Sequence, residues 1–101
     1  MIKIVDYGVG NIQAFLTLFK RIGIPSESAK TPDDLETASR LILPGVGHFD
    51  YAMRRLNESG MRKMLDQRVV QDEVPVIGIC VGMQMLATSS EEGTVPGLNW
   101  V

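Results

Sequence analysis

Cysteine, histidine and tryptophan occur only once each in this chain of 101 residues. A lone thiol excludes an internal disulfide and fits a reducing, cytoplasmic setting. One imidazole and one thiol cannot assemble the ligand set of a metal site, so no metal is expected. A strong excess of either charge is also missing. Ten Lys and Arg stand against twelve Asp and Glu, for a formal charge of −2. That balance, with a pI near 5.3, argues against nucleic acid or an anionic membrane as the main partner. Long apolar runs are absent as well. The opening "MIKIVDYGVGN" is broken by Asp6 and is too short for a signal peptide. Nothing approaches the roughly 20 apolar residues of a membrane span. The length suits one small globular domain.

What is present is an alternation of strand and helix signals. Ile2 to Val5 reads as a first strand, ended by the turn "DYGVG". Asn11 is a good N-cap, and Ile12, Phe15, Leu16, Phe19 and Ile22 make an apolar stripe at helical spacing before Gly23. A weak strand around Ser26 to Lys30 precedes "TPDDLETA", where Thr31 caps, Pro32 takes the first helical position and acids fill the first turn. "RLILPGVG" is a third strand running into a glycine loop, and Phe49 to Leu56 and Met61 to Val70 read as helices. A fourth strand leads to the cysteine. This order predicts a parallel α/β sheet with helices on both faces, with function in the loops at the carboxyl ends of the strands. After "VPG", an apolar pattern restarts at Leu98, Trp100 and Val101. It reads as a new strand cut short, the mark of a truncated domain with an unpaired strand at its edge.

The cysteine lies in "VPVIGICVGMQM", Val74 to Met85. Val74, Val76, Ile77 and Ile79 read as a strand covered on both faces. Val81, Met83, Met85 and Leu86, with Gln84 among them, read as the opening of a helix. Cys80 therefore marks a sharp strand-to-helix turn, with Gly78 and Gly82 two residues to either side. G-x-C-x-G is the thiol counterpart of the nucleophile elbow, in which glycines permit close backbone approach around a strained residue. A helix N-terminus favours a thiolate, and the amide of Val81 points to where an oxyanion would form. The competing reading is a buried cysteine acting as a small hydrophobe; the paired glycines favour the nucleophile.

Two further loops bear on this site. "LPGVG", Leu43 to Gly47, combines proline with two glycines after a buried strand, which leaves backbone amides free to supply a second oxyanion donor. Alone it would pass for a tight strand-to-helix connection. "GVGN" begins like a dinucleotide fingerprint, but Gln13 holds the third glycine position and no acid follows at the expected distance. No cofactor is expected.

Together, "PVIGICVGMQML", "ILPGVG", "DYGVGN" and "SSEEG" resemble the class I, cysteine-triad glutamine amidotransferases. Within that family they are most similar to the branch serving histidine biosynthesis. The likeness runs through the whole chain but matches about the N-terminal half of such a protein. Residues 1–101 are accordingly read as the N-terminal part of a single domain. The resemblance implies a truncated three-layer αβα, flavodoxin-like fold with a parallel sheet. It implies that Cys80 attacks the carboxamide of glutamine and that the ammonia passes to a synthase subunit held in a heterodimer. It further implies an oxyanion hole from the amides of Val46 and Val81, with Gly45, Gly47, Gln84 and Glu92 at the substrate. "PGVG" stands where most of the family has P-G-G-x-G, which fits a hole that assembles when the partner is engaged. The partner is expected over "DYGVGN" and "PGVGHFD", with Asn11, His48 and Phe49 at the interface; Phe49 packing on the sheet is an equal alternative. The family's catalytic His and Glu belong to a segment beyond these residues.

Other readings remain open. A His48 in this loop also suits paralogues that feed ammonia to sugar-modifying synthetases in surface polysaccharide pathways. His48 could act as the base of a self-contained Cys-His hydrolase, although a polar residue at a helix start is easily solvated. A chain without the family's base could also be an inactive binding module.

Overall fold

In the computed structural model, residues 1–87 and 95–100 are described. Four parallel strands form one sheet: β1 (Ile2–Val5), β2 (Ser26–Ala29), β3 (Arg40–Gly45) and β4 (Val76–Cys80), in the order β2-β1-β3-β4. Between them run α1 (Ile12–Arg21), a 3-10 turn (Pro32–Leu35), α2 (Phe49–Glu58), α3 (Arg62–Asp66) and a π-helical turn (Gln67–Gln71); α4 (Val81–Met85) follows β4 directly. The expected α/β alternation is therefore present.

Local chemistry accounts for most boundaries. The Asn11 side chain accepts from the amide of Ala14 at 3.1 Å and starts α1. The carboxylate of Asp34 accepts from the amides of Lys30 and Thr31 at 2.9 and 3.2 Å, closing the turn that Pro32 begins. These backbone bonds hold the Asp34 carboxyl below the usual carboxylate range.

Register assigns the faces. Lys3 pairs with Leu41, so Lys3, Val5, Leu41 and Leu43 share one face; Ile4, Ile42 and Ile77 form a row on the other. Val5, Leu41 and Leu43 join Phe49, Met53 and Leu56 of α2 and Leu65 of α3 in the core cluster. Ile4 and Ile42 are buried outside that cluster, on the side where α1 crosses β1 and β2.

Three expectations are corrected. Among the described residues, the strand before Cys80 is not covered on both faces: β4 is an edge strand and Ile77 is 56% exposed. The helix expected from Met61 to Val70 is α-helical only over Arg62–Asp66 and then widens into the π turn. That turn carries the adjacent β-branched Val69 and Val70, which crowd a regular α-helical turn, and Arg68 Nη2, which donates to the Ala38 carbonyl at 2.5 Å. Finally, the Leu98–Trp100 segment forms no strand; Val101, the last residue of the expected pattern, lies outside the described residues. The amides of Leu98, Asn99 and Trp100 donate to the carbonyls of Met85, Ala87 and Leu86, satisfying the orphan acceptors at the end of α4.

Candidate functional site

The "DYGVGN" loop, the "PGVG" loop and the Cys80 elbow meet at the carboxyl ends of β1, β3 and β4. Cys80 ends β4 at φ 56° and ψ −123°, a left-handed conformation uncommon outside glycine. Its side chain is exposed, and Val81 begins α4 at once. This is the geometry of a strained elbow presenting a thiol to solvent. Neighbouring glycines allow it. A Cβ on Gly82 would overlap the Leu43 carbonyl, and one on Gly78 would fall 2.6 Å from the Gly82 oxygen. Any larger residue at either position would lift α4 away from the sheet. The lone cysteine is therefore no buried hydrophobe.

Gly45 pairs with Cys80 across β3 and β4, so the "PGVG" loop leaves the sheet beside the thiol. A Cβ on Gly45 would lie 2.7 Å from the Gly82 amide nitrogen, so this loop also presses against the elbow helix. Val46 is exposed, and Gly47 turns the chain at φ 82°. The first loop rests on the second: a Cβ on Gly10 would meet the Pro44 side chain at 2.9 Å. Gly45, Val46, Gly47, Cys80 and Val81 are thus neighbours in space. Gln84 lies exposed on α4, and Glu92 lies outside the described residues.

His48 is the N-cap of α2, its Nδ1 accepting from the Asp50 amide at 3.1 Å. In that arrangement the neutral ring carries its proton on Nε2, which leaves no free basic nitrogen while the cap holds. A base role for Cys80 would require breaking the cap. Phe49 is fully buried in the core cluster, so its ring is packing and is not presented at the surface, whereas Asn11 and His48 are exposed.

Sequence reasoning missed two polar residues here. Buried Tyr7 donates its hydroxyl to the Pro44 carbonyl at 2.5 Å, with Met85 Sδ at 3.4 Å. Burial pushes this phenol well above its ordinary pKa, so it stays a donor at any physiological pH. Asp50, also buried, accepts from the Val95 amide at 2.9 Å and ties α2 to the far end of the chain. Their only sequence signal is position: each sits in or just after a glycine loop. A cleft of about 540 Å³ runs along α1 and β2 beside Gln13, Leu16 and Pro25 and touches none of these groups. The thiol instead faces solvent.

Comparison with known proteins agrees with this geometry. The family model for class I glutamine amidotransferase matches residues 3–99. The imidazole glycerol phosphate synthase subunit HisH of Bdellovibrio bacteriovorus is 66% identical over 101 residues, covering all of this chain and 50% of that protein. The HisH subunit of Leptospira interrogans is 48% identical with the same coverage. The chain thus spans about half the length of the curated relatives it matches. A solved structure described as a glutamine amidotransferase superposes with a TM-score of 0.78 at 24% identity, over 97% of this chain and 51% of that one. At that identity it speaks for the fold alone.

Proposed function

The chain belongs to the class I glutamine amidotransferases, and from that premise we propose that it is the N-terminal part of the glutaminase subunit of an imidazole glycerol phosphate synthase. In this reading the subunit hydrolyses glutamine and hands ammonia to a synthase subunit in a cytoplasmic heterodimer. The observation that carries it is the strained, exposed Cys80 elbow set beside the "PGVG" loop. The histidine-pathway reading is preferred to the sugar-pathway one because both high-identity relatives bear the HisH name.

The chemistry follows from the positions. The Cys80 thiolate adds to the carboxamide carbon of glutamine, and the carbonyl oxygen becomes an oxyanion between the amides of Val81 and Val46. Collapse expels ammonia and leaves a glutamyl thioester on Sγ. Water then cleaves the thioester to glutamate and restores the thiol. Gly45, Gly47, Gln84 and Glu92 are assigned to holding the substrate. A general base must take the thiol proton, deliver it to the departing ammonia and later activate water, and His48 is engaged as a helix cap. We place the base in the half of the relatives' length that this chain does not span. Asn11 and His48, exposed at the loop mouths, are assigned to the synthase interface.

The test uses the full-length protein with its synthase. Glutamine hydrolysis should be low alone, rise on adding the synthase, and fall by roughly 10⁴-fold in Cys80→Ser. Hydrolysis that survives Cys80→Ser, or that runs at full rate without a synthase, contradicts the assignment.

A further inference from the structure

We propose that Tyr7 is a positioning residue for glutamine hydrolysis: its buried hydroxyl tethers the Pro44 carbonyl and confines rearrangement of the oxyanion loop to the peptides beyond it. The inference rests on the reading of Cys80 as the glutaminase nucleophile and adds a residue that this reading does not use.

Pro44 is the weak point of β3. It lies in the strand, opposite Ile79 and one residue before the glycine that pairs with Cys80. Having no N–H, proline cannot be held through a donated ladder bond, so the sheet's grip loosens where the loop leaves it. Tyr7 supplies the missing tether. Its ring is 4% exposed, and its single hydroxyl hydrogen goes to the Pro44 oxygen at 2.5 Å. Met85 Sδ lies 3.4 Å from the same hydroxyl, so one atom touches the "PGVG" loop and the elbow helix together. A Cβ on Gly45 would come within 3.0 Å of that oxygen, so the loop packs directly against the hydroxyl. Freedom begins immediately afterwards, at exposed Val46 and at Gly47 with its φ of 82°. The peptide carrying the Val46 amide is therefore the first one that can turn, and it turns about a fixed point. An oxyanion donor acts on the tetrahedral state far more than on bound glutamine, so loss of the fixed point should appear in kcat and leave KM alone.

The experiment compares Tyr7→Phe with replacement of Tyr7 by 4-aminophenylalanine, which keeps the ring and a donor, in the full-length protein with its synthase. For Tyr7→Phe, kcat for glutamine hydrolysis should fall about tenfold, less than outright loss of an oxyanion donor. KM should stay within about twofold, as should the rate of Cys80 alkylation by iodoacetamide, which reads the elbow and not the loop. The 4-aminophenylalanine variant should keep kcat within about threefold of the parent, because the donor remains. Parental kcat in Tyr7→Phe overturns the proposal, and so does a parallel fall in kcat and alkylation, which marks general loosening. If Tyr7→Phe does not fold, the donor-bearing variant decides alone, and a tenfold loss of its kcat overturns the proposal. A Cys80→Ser control run alongside separates the two ideas: hydrolysis that survives it removes the underlying reading and this inference with it.

Discussion

The two faces of the sheet are built from the same aliphatic residues but are closed to different degrees. On one face Val5, Leu41 and Leu43 are fully buried beneath Phe49, Met53 and Leu56. On the other, the row Ile4, Ile42, Ile77 begins buried and ends in solvent, and no residue of α1 is buried. The closed face runs to the elbow: Met85 of α4 and Tyr7 of the first loop belong to its core cluster, and Phe49 opens the helix capped by His48. Rigidity is therefore concentrated beneath the loops proposed to do chemistry, and the open face lies along α1 and the β4 edge. A strained residue such as Cys80 persists only where the surroundings over-determine it, and the closed face provides those surroundings.

The largest effect should come from breaking the contact between elbow and sheet. Gly82→Ala places a methyl on the Leu43 carbonyl, a backbone group that cannot step aside, and should cost more than about 4 kcal/mol, at the extreme of single substitutions. Near-parental urea unfolding of Gly82→Ala would show that α4 does not lie this close. The next effect sets one face against the other. Phe49→Ala should destabilise the chain by about 3–5 kcal/mol through loss of burial and a residual cavity. Ile77→Ala, on the exposed end of its row, should cost less than about 1 kcal/mol. Equal costs for these two substitutions would mean that the faces are closed alike. The smallest effect is on acid stability. The carboxyl of Asp34 is held low in the folded chain by the amides of Lys30 and Thr31. Its contribution is present above the ordinary carboxylate pKa and is lost as pH falls through that value toward the folded one. Asp34→Asn should therefore lower stability slightly at neutral pH, leave it nearly unchanged at low pH, and so flatten the acid limb of the stability profile. An acid limb unchanged in Asp34→Asn would assign the slope to other carboxylates.

Much of this architecture was legible in the residues. Strand and helix order followed from periodicity, the start of α1 at Asn11 from capping chemistry, and the elbow from glycines flanking a thiol at a change of period. The open face was not legible, because an apolar strand announces that it wants cover and not whether a neighbour supplies it. Leu98 and Trp100 misled for a related reason: an apolar alternation that reads as a strand here closes over the end of α4, with Trp100 Nε1 donating to Asp66 at 2.8 Å. Tyr7 went unseen because its partner stands 37 residues away, a pairing that only the parallel arrangement of β1 and β3 creates. Phe49, weighed as interface or packing, is settled as packing by its place in the core.

The central claim is that the Cys80 elbow carries the covalent step, and the most direct measurement is the identity of the acylated residue. Full-length protein with its synthase, quenched in acid during turnover of glutamine and digested, should yield one peptide bearing a glutamyl group, with the mass added at Cys80 and absent from Cys80→Ser. A glutamyl group on any other residue, or steady hydrolysis with no adduct at Cys80 and full activity in Cys80→Ser, would contradict the account.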